Sequence, residues 1–256
     1  MTATSDLSTL SKEEKLQLRW RMGALKFLLR PHQLQIYDAL WACINDGNSA
    51  HTSHVIDCSR QFGKSFTEFV VAVEFCLRTP KSTVLFVAPL KSQAEEIIMG
   101  ETFFRVFETC PKELQPKIDG NTIRFPSGSR IRVGGTDNRR YEDLRGGAAH
   151  LLILDEAGFM SHLDDGVLPA LQPMLTTTRG KTIFSSTPPP SLEHPYETIY
   201  RDHLQRELVS HFTIFDNSSL TEDDVQKAYL ETGSKFIAGK WEPSTRFRRE
   251  YLANLS

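Results

Sequence analysis

The residues best suited to do chemistry form one short loop, Cys58-Ser59-Arg60-Gln61-Phe62-Gly63-Lys64-Ser65. Its last three residues match the phosphate-binding P-loop pattern, although Cys58 stands where the first glycine of that pattern usually lies. A short buried strand is predicted at 55–58, and apolar residues recur at helical spacing over 65–77. Because backbone N–H groups and the positive end of a helix then point to one place, the loop predicts a site for the phosphates of ATP.

Each residue of this loop has an expected part in nucleotide binding. Gly63 lets the backbone approach the phosphates, Lys64 reaches the β- and γ-phosphates, and Ser65 holds Mg²⁺. The other expected ATP-binding residues of the loop are Ser59, Arg60, Gln61 and Phe62. The alternative is a plain strand–turn–helix whose lysine is only solvated, since Gly-Lys-Ser alone is a weak signal.

A pair of carboxylates, Asp155-Glu156, ends the apolar run at 151–154. Ligands of α/β sheets bind at the carboxyl ends of the strands. Successive side chains of a strand point to opposite faces, so the two acids are expected to differ in role. Asp155 would orient Mg²⁺, and Glu156 would be the general base for the attacking water.

Hydroxyl side chains close another apolar run, as Ser185-Ser186-Thr187 before Pro188. At the end of a strand, such groups can sense the γ-phosphate or the attacking water. Serine and threonine before proline are also ordinary turn residues. Their significance therefore depends on their position after the other two motifs.

Phosphoryl transfer also needs positive charge at the γ-phosphate, which an arginine often supplies. Arg60 lies in the loop itself and could act within its own subunit. Arg139 and Arg140 lie on a glycine-flanked loop at 134–149, from which an exposed base could enter the site of a neighbouring subunit. We expect Arg139 to be that finger, whereas Arg140 is equally well explained as a solvated or DNA-facing base. Arg145 has either a structural or a catalytic explanation.

Predicted strands and helices alternate along the chain, which is typical of a parallel α/β sheet. The segments 121–125 and 129–133 alternate apolar and polar residues around Pro126-Ser127-Gly128, and they predict an antiparallel hairpin at the edge of the sheet. After residue 216 the pattern becomes helical, which indicates a small C-terminal subdomain.

The composition is that of an ordinary globular chain, with 256 residues, 39% of them hydrophobic, and a net charge of −2. This balance argues against a surface coated in basic residues, although a local basic loop or the pore of a ring would hardly change the total. The four cysteines form no Cys-x-x-Cys pair and favour a reducing compartment. With neither a signal peptide nor a membrane-spanning run in the sequence, we expect an intracellular protein with no membrane partner.

Together these motifs resemble the large terminase subunit of tailed bacteriophages, within the additional-strand, catalytic-glutamate class of P-loop ATPases. The resemblance covers residues 28–255. The form Arg-Gln-x-Gly-Lys-Ser, without the first glycine, is typical of terminases, so Cys58 fits the family. The other segments that carry the resemblance are Arg30-Pro31-His32-Gln33, Leu144-Arg145-Gly146, Ser185-Ser186-Thr187 and Arg248-Arg249-Glu250-Tyr251-Leu252.

The resemblance implies a P-loop NTPase fold of the α/β class. Its sheet would be mostly parallel and doubly wound, with helices on both faces and a small C-terminal lid subdomain. Residues 1–27 would be a polar tail or helix, 28–215 the ATPase core and 216–256 a small helical lid. Gln33 would contact the adenine, and Ser185, Ser186 and Thr187 would couple hydrolysis to movement.

The resemblance also implies a function. ATP hydrolysis, with ATP and Mg²⁺ as cofactors, would drive translocation of double-stranded viral DNA into a procapsid. The expected partners are double-stranded DNA, further copies of the chain in a homo-oligomeric ring, the portal and the small terminase subunit. The expected place is the host cytoplasm, with transient docking on the procapsid. The nuclease domain of terminases is expected to be absent, because no acidic cluster follows Leu252.

Two other functions fit part of the sequence. A superfamily 2 helicase or another DNA-dependent translocase would also have a strand ending in Asp155-Glu156, but Ala157-Gly158 follows where that superfamily usually continues with His. A slow nucleotide-dependent binding switch would fit the loop alone. Glu156 and the lack of an Asn-Lys-x-Asp motif argue against the switch.

Two groups of basic residues are candidates for DNA contact, and either group is equally well explained as solvated surface. They are Arg124, Arg130 and Arg132 on the predicted hairpin, and Arg246, Arg248 and Arg249 on the last predicted helix.

Overall fold

The computed structural model describes residues 10–254, without the side chains of residues 98 and 99. The α-helices are α1 (Lys12–Arg21), α2 (Gln33–Asn45), α3 (Lys64–Arg78), α4 (Lys91–Met99), α5 (Glu101–Phe107), α6 (Leu168–Leu171), α7 (Pro195–Gln205), α8 (Glu222–Glu231) and α9 (Thr245–Tyr251). The strands are β1 (Ser53–Cys58), β2 (Thr83–Ala88), β3 (Lys117–Asp119), β4 (Thr122–Arg124), β5 (Arg130–Gly135), β6 (Leu151–Asp155), β7 (Lys181–Ser186), β8 (Val209–Phe212), β9 (Lys235–Ile237) and β10 (Lys240–Glu242).

Short helical turns connect several of these elements. One is a π-helix at Leu163–Val167, which leads into α6. The others are 3-10 helices at Lys26–Leu28, Lys112–Leu114, Asp137–Leu144, Ala157–Phe159, Gln172–Leu175 and Ile214–Asp216. Across residues 10–254, every helix is too short or too polar to span a lipid bilayer.

The main sheet has the strand order β3-β4-β5-β2-β6-β7-β1-β8. Strands β5, β2, β6, β7, β1 and β8 run parallel to one another. Strand β4 pairs antiparallel with both β5 and β3. The predicted α/β fold and the antiparallel hairpin are thereby confirmed. The outermost strand was not predicted: β3 is three exposed residues long, too short to show an alternating pattern.

The parallel strands are buried on both faces, because successive side chains of one strand enter different cores. In β2, Val84 and Phe86 pack in the core beneath α2, α3 and α5, while Leu85 and Val87 pack in the core beneath α6 and α7. The sheet is therefore doubly wound, and its strands read as continuous apolar runs. Their carboxyl ends meet at one edge, where loops are free to carry functional side chains.

A small third core lies in the C-terminal part of the chain, around Ile214, Ala228 and Phe247. The sequence predicts only helices here, but β9 and β10 form an antiparallel hairpin between α8 and α9. Each strand is only three residues long, too short to show an alternating pattern beside the helical spacing of apolar residues in α8 and α9. Tertiary packing stabilises them, because the Trp241 ring of β10 stacks on Tyr229 of α8 at a centroid distance of 4.7 Å.

The N-terminal segment packs through α1 on the core that lies beneath α2, α3 and α5. Trp20 is fully buried and stacks on Phe107 of α5, and its indole donates a hydrogen bond to Thr109. Residues 1–9 of the segment predicted as a tail or helix lie outside the described residues.

One buried carboxylate ties the N-terminal segment to the sheet helices. Glu74 of α3 is fully buried and accepts hydrogen bonds from the backbone N–H of Leu25, the hydroxyl of Tyr37 at 2.7 Å and the indole of Trp41 at 2.9 Å. The guanidinium of Arg78 lies 3.3 Å away and balances the charge. The carboxylate is therefore well solvated by the protein itself.

We expect Glu74→Ala to lower the free energy of unfolding by about 3–5 kcal/mol, because four donors lose one buried acceptor together. Urea denaturation measures the change. Glu113→Ala is the matched control, since Glu113 pairs with Arg21 at 2.9 Å with both side chains more than half exposed. That control should lower the free energy of unfolding far less than Glu74→Ala does, because water screens an exposed ion pair. Equal losses in the two variants would contradict this role of Glu74.

Candidate nucleotide site

The phosphate-binding loop connects β1 to α3, at the carboxyl edge of the sheet. Gly63 caps α3 with φ +85°, a left-handed conformation that favours glycine. Gln33 of α2 donates a hydrogen bond from its amide to the Gly63 carbonyl at 3.3 Å. The hydroxyl of Thr67 donates to the same carbonyl at 2.9 Å. The loop is thus held from two helices, and Gln33 lies directly against it.

Lys64 is the first residue of α3, and its side chain is only 6% exposed. Its Nζ donates to Oε1 of Glu156 at 2.8 Å. Burial by itself would lower the pKa of Lys64, but Glu156 and Asp155 raise that pKa above its ordinary value. The amine therefore stays charged, and it brings the two predicted motifs into direct contact.

Asp155 ends β6 and is nearly fully buried. Burial raises the pKa of its carboxyl to about 6, against the opposing effect of Lys64, and Ser65 contributes a hydrogen bond. Its Oδ1 has no hydrogen-bond partner among the described residues. A carboxylate and a hydroxyl fit Mg²⁺, an oxygen-seeking ion that keeps several waters and binds substrate phosphates. The part of the chain that the structure describes contains no group of three or more His, Cys, Asp or Glu side chains that could hold a metal ion.

Glu156 follows the strand in a strained conformation, with φ +55° and ψ 43°. A side chain with a Cβ seldom adopts this left-handed region, and such residues cluster at functional sites. Its Oε2 is buried and unpartnered among the described residues, whereas its Oε1 bonds Lys64. The residue predicted to be the general base therefore contacts the lysine predicted to bind phosphate.

Strand β7 lies between β1 and β6, so its hydroxyls lie between the two motifs. In register, Ser186 pairs with Asp57 of β1 and Ser185 pairs with Asp155 of β6. Ser186 accepts a hydrogen bond from the backbone N–H of Gly158 at 3.0 Å. The end of β7 is thereby bonded to the turn that follows Glu156.

A cavity of about 340 Å³ opens beside Glu156. Arg60 and Thr187 line it, together with Leu90 and Phe159, which are 50% and 44% exposed. Leu90 and Phe159 were not predicted as site residues. The available signal was their position, two residues after the end of β2 and three residues after the acidic pair.

Glu68 is another site residue that the sequence analysis missed. It is fully buried one helical turn after Lys64, and neither carboxyl oxygen has a hydrogen-bond partner among the described residues. Burial, together with the charge of Asp155, raises the pKa of Glu68 well above its ordinary value. Its spacing of four residues from Lys64, on the same face of α3, was the available signal.

Arg60 is turned toward the C-terminal helix. Its backbone N–H donates to the Glu250 carbonyl at 2.8 Å, and its guanidinium lies 3.4 Å from the Glu250 carboxylate. Arg246 and Arg249 also bond this carboxylate, at 3.1 and 3.2 Å. The loop arginine thus lines the cavity beside Glu156 while its ion pair is made with α9.

Arg139 follows β5, which lies four strand positions from β1 in the sheet. At the usual spacing of strands, β5 and β1 are roughly 19 Å apart. Asn138 and Arg139 both have left-handed backbones, with φ of 52° and 59°, and Arg139 is exposed. Its neighbours Arg140 and Arg145 are ion-paired within the loop.

The sequence and the fold are similar to those of bacteriophage large terminases. The family model "Terminase large subunit, T4likevirus-type, N-terminal" matches residues 55–254. The structure resembles the large terminase ATPase domain of Thermus phage P74-26, with a TM-score of 0.62 and 21% identity over 90% of this chain and 97% of that one. It also resembles the large terminase of the thermophilic bacteriophage D6E in complex with ADP, with a TM-score of 0.65 and 16% identity over 89% of this chain and 54% of that one.

The large terminase of bacteriophage HK97 gives a TM-score of 0.63 with 14% identity, over 96% of this chain and 55% of that one. At these identities the likeness concerns the fold. The chain spans about half the length of the D6E and HK97 proteins but nearly all of the P74-26 ATPase domain.

The contact between Gly63 and Gln33 can be tested by adding a methyl group. A Cβ on Gly63 would lie 2.1 Å from Nε2 of Gln33, and the φ of +85° is itself unfavourable for alanine. We expect Gly63→Ala to lower the free energy of unfolding by about 1–3 kcal/mol, measured in urea, and to weaken nucleotide binding.

Gly120→Ala is the matched control, because Gly120 has φ +59° with open space around it. Gly63→Ala combined with Gln33→Ala should recover only the part of the loss that comes from the clash. A Gly63→Ala variant no less stable than Gly120→Ala would mean that Gln33 does not pack against the loop.

Proposed function

This chain belongs to the T4likevirus-type family of terminase large subunits, and we propose that it hydrolyses ATP to move double-stranded viral DNA into a procapsid. The observation that carries this proposal is the contact of 2.8 Å between Lys64 and Glu156. It brings a phosphate-binding lysine and a candidate general base to one point at the carboxyl edge of the sheet. A site that only bound nucleotide would need the lysine but not the base.

Each group of the site has a defined part in this proposal. Lys64 and the backbone N–H groups of the loop bind the β- and γ-phosphates, and Gln33 lies on the adenine side of the loop. Ser65 and Asp155 hold Mg²⁺, which when bound neutralises charge on the β- and γ-phosphate oxygens. The buried Oδ1 of Asp155, free of other partners in the described chain, supports this assignment.

Glu156 polarises the attacking water and accepts its proton. The same carboxylate bonds Lys64, so a phosphate that takes the lysine releases Glu156 for this task. The hydrogen bond between Ser186 and Gly158 links the turn after Glu156 to β7. Ser185, Ser186 and Thr187 are therefore well placed to couple the chemical state of the site to movement of the sheet edge.

In our proposal, two arginines from two different subunits act at each ATP site. Arg60 lines the cavity beside Glu156 and acts within its own chain, although its guanidinium also pairs with Glu250. Arg139 acts as the finger of a neighbouring subunit in a homo-oligomeric ring. Its exposure and its strained backbone support this assignment, as does the separation of β5 from β1 in the sheet.

The remaining partners follow from the packaging function. We propose double-stranded DNA, the portal and the small terminase subunit as partners, in the host cytoplasm and on the procapsid. Residues 216–256 would serve as the lid of the ATP site. The hairpin arginines are weak candidates for DNA contact, since Arg124 pairs with Asp119 and the Arg132 guanidinium donates to the backbone carbonyls of Asp143 and Gly146.

We expect Glu156→Gln to lower the rate of ATP hydrolysis by about 10²–10⁴-fold while nucleotide binding persists, because the amide cannot accept the proton of water. Steady-state phosphate release, with and without duplex DNA, measures the rate, and fluorescence titration with a nucleotide analogue measures binding. Glu113→Gln, on an exposed ion pair of α1, should behave as wild type. Full hydrolysis by Glu156→Gln would remove Glu156 as the base.

We expect Arg139→Ala to lower hydrolysis by about 10³-fold at unchanged nucleotide affinity, since an arginine finger acts on the transition state. Mixing this variant with Glu156→Gln should restore part of the activity, because one type of interface then contains an intact Glu156 facing an intact Arg139. Arg21→Ala, which removes an exposed arginine paired with Glu113 at 2.9 Å, is the matched control. If the mixture stays inactive, or if turnover per chain is independent of protein concentration, the assignment in trans is wrong.

A further inference from the structure

The loop between β1 and α3, residues 59–63, has a single apolar side chain, that of Phe62. Its neighbours Arg60 and Gln61 are exposed, whereas Phe62 is only 1% exposed and belongs to the core beneath α2, α3 and α5. A phenyl ring in a hydrophobic core offers no polar atom to a nucleotide. Phe62 would therefore contact phosphate only through its backbone, and its side chain has another role.

Two other rings enclose the ring of Phe62. The His32 ring lies edge-on to it, with a centroid distance of 5.2 Å and an interplanar angle of 89°. The Phe212 ring lies 5.8 Å away at an angle of 33°. His32 precedes α2 and is 3% exposed, and Phe212 ends β8 and is partly buried. Aromatic pairs at these distances add to the stabilisation from burial, so Phe62 joins the loop to α2 on one side and to β8 on the other.

The backbone around Phe62 alternates in the sign of φ. Gln61 has φ +59° and Gly63 has φ +85°, whereas Phe62 between them is outside the left-handed region. Successive residues of opposite hand direct their N–H groups to one side and form a concave site for anions. Glycine adopts a positive φ readily, but Gln61 carries a Cβ and is strained. Such a conformation persists only where the surrounding structure holds it.

Hydrogen bonds hold the two ends of the loop to the same two elements. At the start of the loop, the Ser59 backbone N–H donates to the Phe212 carbonyl at 2.8 Å. At its end, the Gly63 carbonyl accepts from the Gln33 amide at 3.3 Å. The first turn of α2 and the end of β8 therefore hold the ends of the loop by hydrogen bonds and its centre by the ring of Phe62.

We propose that Phe62 is a positioning residue whose buried ring keeps Gln61 in its left-handed conformation, so that the loop is shaped for phosphate before a nucleotide binds. Burial of an aromatic ring outweighs the strain of one left-handed residue. A loop that is already ordered loses less conformational freedom on binding, and so binds its ligand more tightly. The effect on ATP rests on the proposed ATPase function, whereas the attachment of the loop by the ring does not.

The first test is the KM for ATP of Phe62→Leu, which keeps an apolar side chain but removes the ring. We expect KM to rise by roughly tenfold and kcat to change by less than about twofold, because the loop must then be ordered by the nucleotide. Steady-state phosphate release measures both.

Phe125→Leu is the matched control, since Phe125 is 5% exposed and its ring lies 6.2 Å from that of Phe107, in the same core. It should keep the KM of the wild type. A Phe62→Leu variant with the same KM as Phe125→Leu would overturn the proposal.

Gln61→Gly separates this role from a general loss of stability. Glycine adopts the left-handed conformation without strain, so the loop then depends less on the ring. Phe62→Leu should therefore raise KM by less than about threefold in the Gln61→Gly background, compared with roughly tenfold beside the native Gln61. Equal increases in the two backgrounds would mean that the ring does not act through Gln61, and the proposal would be wrong.

The second test needs no ATP. Trypsin cleaves after arginine, and Arg60 is exposed in the residue before Gln61. In the ligand-free protein we expect Phe62→Leu to speed cleavage of the bond between residues 60 and 61 by roughly tenfold, because cleavage follows the population of the locally opened loop. Mass spectrometry identifies the bond, and Phe125→Leu should be cleaved there at the wild-type rate.

The two tests separate the two proposals. Cleavage of Phe62→Leu at the wild-type rate would overturn the attachment of the loop by the ring. Faster cleavage of Phe62→Leu, in a protein whose wild type hydrolyses no ATP, would confirm the attachment and disprove the proposed function alone.

Discussion

The burial of one cation organises the site. Lys64 is 6% exposed and begins a helix, where the helix dipole places further positive charge. Such an amine is stable only beside anions, and Asp155 and Glu156 supply them at the carboxyl end of β6. The loop, the candidate base Glu156 and the candidate metal ligand Asp155 are therefore joined by one electrostatic requirement.

Strand order satisfies that requirement. Strand β7 separates β1, which precedes the loop, from β6, which ends in the acids. The carboxyl end of β7 therefore lies between Lys64 and the two acids. Its residues there are the hydroxyls Ser185 and Ser186, which are small and fully buried. Ser186 reaches the turn after Glu156 through the N–H of Gly158, where a Cβ would lie only 2.8 Å from the hydroxyl. Small side chains on both sides permit this close approach.

The C-terminal helix forms the other wall of the loop. The Glu250 carboxylate of α9 forms ion pairs with Arg60, Arg246 and Arg249, so the last helix and the loop share one carboxylate. Movement of α9 and rearrangement of the loop are therefore mechanically linked, whichever of the two begins.

The sequence by itself determined the elements and the local motifs. The Gly-Lys-Ser turn, the acids after an apolar strand, the hydroxyls after the next strand and the edge hairpin are patterns within about ten residues of chain, and hydrophobic periodicity reveals them. Only the tertiary structure decided which charges meet. The pairs Lys64–Glu156 and Arg60–Glu250 join residues 92 and 190 positions apart, and the burial of Glu68 depends on the sheet beneath it. Periodicity reports which face of an element is buried, whereas a charge pair depends on the packing of two distant elements, which no local pattern encodes.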